Sequence, residues 1–235
     1  MSEKLDKLYA DIMKAHPFGI AMYRPLPSSV FGPGCCGYFD HDGSWNPIVH
    51  LMDTESLLRK GLELPDEELE RAPVDNGITW GPMVSSNIKA TKASISGGVA
   101  PATGIPVTAA VVYSYAVDRE VGAVLLTSSP VSHEHYIGTT PFTNWCKKNA
   151  RIILKRWPEI KERSLWIITS TYSTKKCAIN LSRSGGRGLQ VGFNVDVSAF
   201  GQAGSGGEWY RNKMDQGWAE YTTEVSSFAT ENIAY

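Results

Sequence analysis

Eleven consecutive residues near the C-terminal end alternate without a miss, and they constrain the fold more than any other feature of the chain. Leu189, Val191, Phe193, Val195, Val197 and Ala199 are apolar; Gln190, Gly192, Asn194, Asp196 and Ser198 between them are polar or small. A β-strand sends successive side chains to opposite faces, so this segment makes one apolar and one wet face. A second stretch repeats the pattern, with Ile105, Val107, Ala109, Val111, Tyr113, Tyr115 and Val117 on one face. The first has the length, roughly 9–11 residues, with which a strand crosses a bilayer. Each is equally a half-buried strand of a sheet with one face in water.

The 235 residues supply one good core or two small ones. No run of ~18 apolar residues offers a transmembrane helix. The start, Met1-Ser2-Glu3-Lys4-Leu5-Asp6, has no greasy signal core, which predicts a chain that is not secreted. The Asn180-Leu181-Ser182 sequon then carries no weight. Cys35, Cys36, Cys146 and Cys177 show neither Cys-x-x-Cys spacing nor a disulfide framework, as suits a reducing cytosol. The net charge of −1 hides an asymmetry. Lys147 to Arg187 carries 11 Lys or Arg against Glu159 and Glu162, and the remainder is acidic. That points to a polyanionic partner, nucleic acid or an anionic membrane, or else to a solvated basic face.

Residues 2–15 read as an amphipathic helix, with Leu5, Leu8, Ile12 and Ala15 on one side and Lys4, Lys7 and Lys14 on another. Residues 24–47, rich in Pro and Gly, read as irregular loop. Ile48 to Met52 suggests a short strand. Thr54 to Lys60 suggests a short helix capped by Thr54, and Asp66 to Arg71 another helical turn. Met83 to Val99 is a weak strand pattern, Ala100 to Gly104 a turn, and residues 105–117 the return, together one long hairpin. Val121 to Ser128 reads as a buried strand. Thr140 and Pro141 open the best helix, which Pro158 stops after Trp157. Its apolar face holds Phe142, Trp145, Cys146, Ile152, Ile153 and Trp157, opposite a stripe of Lys147, Lys148, Arg151 and Lys155. Such a helix suits a membrane surface, or a core with a solvated basic back. Leu165 to Ser182 is strand-like, residues 184–188 read as a turn, and 189–199 returns as a second hairpin. Glu208 to Thr223 suggests a final strand or packed tail.

Catalytic chemistry finds no constellation. His133 and His135 flank Glu134, but no further ligands complete a metal site. There is no Gly-x-Ser-x-Gly elbow, Walker loop or dinucleotide fingerprint. Asp40 and Asp42 beside Gly43 read as a turn, and nothing near Cys35 and Cys36 would activate them. No catalytic residue, metal or cofactor is expected, and the chain is not read as an enzyme.

Three classes of function remain: a pore-former, a soluble β-rich binding module (lectin-like or polyanion-binding, with no pore activity), and a hydrolase without a familiar motif. For the first, backbone groups in lipid must be satisfied internally, so strands enter only as a closed barrel. Four strands cannot close one, so many copies are needed. Against nucleic acid, the aromatics beside the basic stripe lie on the apolar face of their helix, where they serve as anchors or core.

Leu165-Trp166-Ile167-Ile168-Thr169 followed by Thr174-Lys175-Lys176 resembles the start of the second membrane hairpin in the gasdermin family. The segment Pro33-Gly34-Cys35-Cys36-Gly37-Tyr38-Phe39-Asp40 resembles the fungal branch of that family. The element order (helix, hairpin, central helix, hairpin) covers roughly residues 3–200. The resemblance implies an α+β fold: a twisted, mostly antiparallel sheet with flanking helices, and two extendable β-hairpins that form a multi-subunit β-barrel in the membrane. It implies one pore-forming domain over 1–235, with 201–235 as its tail and nothing after residue 200 that could be a C-terminal repressor. The domain would then be held in check by its own packing or by self-association until a partner tips it. The implied partners are acidic phospholipids of the inner leaflet, other copies in a large homo-oligomer, and, for allorecognition (heterokaryon incompatibility), an incompatible variant of the same protein. The implied location is cytoplasmic at rest and the plasma membrane when regulated cell death is executed. Lys4, Lys7 and Lys14, with Lys147, Lys148, Arg151 and Lys155, would meet lipid headgroups. Ile105, Val107, Ala109, Val111 and Tyr113 would line the first membrane hairpin, and Ile179, Leu181, Leu189, Val191, Phe193 and Val195 the second. Lys175 and Lys176 would cost about 2–4 kcal/mol if one faced lipid near the bilayer centre. The embedded part of hairpin two is therefore expected beyond them, toward a turn near Gly186.

Overall fold

A computed structural model describes residues 5–94, 111–117, 121–127, 130–183, 189–193, 218–221 and 225–230. In chain order the elements begin with α1 (Leu5–Met13), β1 (Ile20–Pro27), β2 (Cys35–Phe39), β3 (Trp45–His50), α2 (Thr54–Arg59) and β4 (Asp75–Ile78). There follow β5 (Met83–Val84), β6 (Ile88–Ser94), β7 (Val111–Val117), β8 (Val121–Thr127), β9 (Val131–His135), α3 (Thr140–Arg156) and α4 (Ile160–Arg163). The last are β10 (Trp166–Ile167), β11 (Ser170–Thr174), β12 (Cys177–Arg183), β13 (Leu189–Phe193), β14 (Trp218–Tyr221) and β15 (Val225–Thr230). Every pairing is antiparallel, and the class is α+β. The strands divide into several small sheets where one continuous sheet was expected: β1-β15-β11-β9-β4, β10-β2-β3, β14-β12-β8-β5 and β13-β7-β6.

The three-stranded sheet β10-β2-β3 explains the double cysteine. Neighbours on a strand face opposite ways, so Cys36 enters a core with Val49, Phe142, Trp145 and Ile153. Cys35 enters a different core, with Phe31, Trp45 and Ile168. The stretch 24–47 is thus not an irregular loop; it holds the second half of β1, all of β2 and the start of β3. Its glycines permit close approach. A Cβ on Gly37 would lie 2.4 Å from the Asn46 carbonyl oxygen, beside the register shift between Cys36 and Gly37. Gly34 adopts φ +94°, which an L side chain rarely tolerates.

The helix α3 follows its pattern closely. Phe142, Trp145, Cys146 and Ile153 are buried, with Ile152 and Trp157 packed at the margin. Asn149 joins them, fully buried: its Oδ1 accepts from the Glu63 amide at 2.7 Å, and its Nδ2 donates to the Trp145 carbonyl at 3.1 Å. Trp145 Nε1 donates to the Glu63 carbonyl at 2.8 Å. The acidic stretch expected to make a helical turn at 66–71 has none; it bends at 66–67 and bridges Tyr136 through Arg71. Helix caps also differ from expectation: Asp53, not Thr54, caps α2 through the Ser56 amide at 2.9 Å. Thr139 precedes α3 without a side-chain cap.

On α1 the buried face is turned about a quarter circle from the predicted aliphatic one, at 100° per residue. Tyr9 and Met13 are fully buried, whereas Leu5 is 40% exposed. The aliphatic count passed over the two largest apolar side chains. Finally, β15 lies between β1 and β11 in the five-stranded sheet. Its sequence, Val225-Ser226-Ser227-Phe228-Ala229-Thr230, has no alternation to announce it.

Candidate membrane interface

The two alternating segments meet. β13 pairs with β7: Leu189 stands opposite Tyr115, Val191 opposite Tyr113 and Phe193 opposite Val111. Opposed positions of an antiparallel pair belong to one sheet face, so the two apolar patterns fall in phase. β12 pairs with β8 in the same register: Cys177 is opposite Thr127, and twelve residues on and twelve back, Leu189 is opposite Tyr115. The two pairings, 177–183 against 121–127 and 189–193 against 111–115, therefore share one register. β6 flanks them on one side through β7, and β14 on the other through β12.

This geometry corrects the second hairpin. β12 and β13 do not pair with each other across 184–188; both run along the same partner ribbon. The strand that pairs back onto β12 is β14, with Cys177 opposite Tyr221 and Asn180 opposite Trp218. That register is symmetric about Ala199, not Gly186. For the first hairpin, Ile88 opposite Val117 and Ser94 opposite Val111 make a register symmetric about the Ala102–Thr103 peptide. The turn expected at 100–104 lies outside the described residues, and the flanking register is the one such a turn requires.

Of the predicted hairpin residues, Val111, Tyr113, Leu189, Val191 and Phe193 lie on these ribbon strands. Ile105, Val107, Ala109 and Val195 lie outside the described residues. Ile179 is fully buried, and Leu181 is packed beside it. There α1 covers the ribbon: Tyr9 and Met13 share a core with Ala123, Leu125, Cys177 and Ile179. Lys175 and Lys176 sit in the break between β11 and β12, the first exposed and the second half-buried. Lys92 stands opposite Tyr113, in the apolar phase of the ribbon.

The predicted cations divide in two. Lys7 is exposed on α1 with Asp11, and Lys14 is exposed in the turn just past its end; Lys4 lies outside the described residues. On α3, Lys147, Arg151 and Lys155 are exposed. Lys148 is engaged by Asp66 and by Glu63 at 3.1 Å. Those hydrogen bonds, to Asp66 first and Glu63 second, raise its pKa. Arg156, the basic residue off the stripe, donates to the Lys60 carbonyl at 2.8 Å and lies over the Trp157 ring.

The other chemical candidates have local explanations. The His133 ring stacks on Tyr172 at 4.2 Å and on His135 at 4.6 Å. His133 Nε2 lies 2.8 Å from Ser170 Oγ. Burial, then His135, depresses the His133 pKa. The Asp40 carboxylate accepts from the amides of Asp42 and Ser44, both at 2.9 Å, closing the turn read around Gly43. Asp40, His41 and Asp42 could together offer ligand atoms within 4.8 Å, but two of the three are exposed. All four cysteines are buried, and none forms a disulfide among the described residues. Burial pushes Cys146 up to about 12 and Cys36 well above its ordinary value, the reverse of an activated nucleophile.

No family model matches the chain, and no curated protein matches it. Among solved structures, the cryo-EM structure of the Gasdermin A3 membrane pore is similar at a TM-score of 0.25 and 11% identity, over 94% of this chain and 87% of that one. A likeness at that level settles neither fold nor function, which rest on the strands and helices themselves.

Proposed function

We propose that the chain is a pore-forming protein of the gasdermin type. It binds acidic phospholipids at the plasma membrane, assembles with copies of itself, and inserts two β-hairpins per subunit to permeabilise the bilayer and kill the cell. A non-enzymatic role and a cytoplasmic resting state belong to the same reading. One observation carries it: the common register that sets the two alternating segments side by side and in phase. The symmetry points of the two hairpin registers fall at 102–103 and, through the ribbon, at the level of 105. Two hairpins that reach the same depth are what a barrel with a single far rim needs.

On this reading the same register sets the depth. About ten residues back from each symmetry point stand Lys92, Tyr113 and Leu189. At roughly 3.3 Å per residue and a tilt near 40°, ten residues span about 25 Å, the height of a barrel's apolar band. Tyr and Lys at that level match an interfacial belt, where a Lys near the headgroups costs about 0–1 kcal/mol, not the 2–4 of the midplane. The tip belongs near Ala199, and Lys175 and Lys176 fall well outside the span.

The test is dye release from vesicles with and without phosphatidylserine. Release that depends on the acidic lipid is expected. Val191→Asp or Phe193→Asp should abolish release while leaving vesicle binding intact. Absence of leakage together with absence of large assemblies would favour the soluble binding module instead.

A further inference from the structure

Tyr9 and Met13 are the buried residues among the nine of α1. Both enter a core with Ala123 and Leu125 of β8 and with Cys177 and Ile179 of β12, so the helix covers an apolar strip of those two strands. Its ends are tied to two different sheets. Near the N-terminal end Arg24 of β1 grips Asp6: its Nε donates to both carboxylate oxygens at 3.1 Å, and Nη2 donates to Oδ2. Just past the C-terminal end, His16 Nε2 lies 2.9 Å from the carbonyl oxygen of Val84 in β5. β1 is an edge of the five-stranded sheet and β5 an edge of the four-stranded one.

Three features make this cover releasable. Isolated helices shorter than about 12–15 residues are marginal in water, so α1 holds its shape only while docked. Its central anchor is compromised, because the buried Tyr9 hydroxyl has no hydrogen-bond partner among the described residues, a penalty that release into water removes. Each clasp is one side chain whose partner water can solvate, and the Arg24 side chain is already 60% exposed. We propose that α1 is a releasable strap: it opens as a unit, in a local step separate from unfolding of the other cores. On the pore reading, on which this consequence alone rests, the docked strap is the brake on insertion, and its release precedes extension of the strands.

Cys177 reports the opening, because it is fully buried in the core that α1 covers, whereas Cys36 and Cys146 lie in the core under α3. The full chain, without lipid or denaturant, is treated with iodoacetamide and the modified cysteines are read by peptide mass spectrometry. Cys177 should react about tenfold faster, or more, than Cys36 and Cys146. Arg24→Gln should speed Cys177 by about threefold, and Tyr9→Phe should slow it by about fivefold. Equal rates at the three cysteines, or a Cys177 rate unmoved by both variants, would overturn the strap. Dye release from phosphatidylserine vesicles then tests the brake. Arg24→Gln removes a cation, so weaker attraction to the acidic surface alone would slow release; faster release is expected, and slower release with Tyr9→Phe. Release that Arg24→Gln slows, or that neither variant changes, would overturn the brake. Absence of leakage from every form would overturn the pore reading and the brake with it, while the strap stands or falls on Cys177.

Discussion

Tyr9 shows how much a single position can hide. Its ring is fully buried under the ribbon, yet its hydroxyl has no hydrogen-bond partner among the described residues. Burying an unsatisfied hydroxyl costs about 1–3 kcal/mol, so Tyr9→Phe is expected to stabilise the fold by roughly 1 kcal/mol. For a chain of this size that raises Tm by about 2–4 °C, readable by calorimetry. A lower Tm would mean that the hydroxyl is bonded after all. His50 and His133 make the pH prediction. Burial is the leading cause of a lowered pKa in both; a backbone hydrogen bond to Pro33 partly opposes it in His50, and His135 adds to it in His133. The fold therefore favours neutral imidazole, while the unfolded chain takes up protons below about pH 6.5. Stability is full above that value and declines as pH falls from it toward the folded-state values. The urea midpoint should be lower at pH 5.5 than at 7.5, and His133→Gln should narrow the gap. Asn149 belongs to this scale as well. A polar residue among helix apolars reads as solvent-facing, and only the Glu63 backbone, brought from 86 positions away, explains its burial.

The elements were legible in proportion to the length of their pattern. The helix α3 and the strands 105–117, 121–128 and 189–199 announced themselves by periodicity, and the described parts of each have the type expected. Short strands β10 and β11 merged into one run with β12 because no breaker separates them, and β15 went unseen. Strand pairing was the larger gap. The glycines at 185, 186 and 188 look like a turn, whereas the ladder carries on in one register on either side of them. Cysteine pairs separate the alternatives. Ser114→Cys with Gln190→Cys places two opposed Cα atoms about 4.5–5.5 Å apart, within disulfide reach. A reversal at Gly186 would instead set Ser182 against Gln190. Oxidation should cross-link the first pair in the monomer and leave the Ser182→Cys, Gln190→Cys pair open; the opposite result, by mass spectrometry, would restore the turn.

At the scale of the whole molecule, charge and ribbon are separate devices. Lys147, Arg151 and Lys155 point outward from a helix whose other face anchors the acidic loop, and among the described residues it is Lys148 that pairs the basic helix with that loop. The exposed remainder suits an anionic surface. Lys147→Glu and Arg151→Glu should each weaken binding to phosphatidylserine vesicles by fivefold or more, with a loss that shrinks as salt rises. Unchanged binding at low salt would move lipid contact to α1 alone. In the proposed function, attachment through α1 and strand extension would be mechanically adjacent, because α1 packs on β8 and β12, which share a register with the alternating segments.

The periodicity of the chain by itself determined which segments are strands or helices and which faces are apolar, because side-chain direction follows from backbone geometry at each residue. What only the tertiary structure decided was partnership: β13 beside β7, β14 returning on β12, Tyr9 and Met13 as the roof, Asn149 as a buried clamp. Pairing is chosen by hydrogen bonds and burial between residues tens of positions apart, and no local pattern encodes which of several compatible partners will close the ladder.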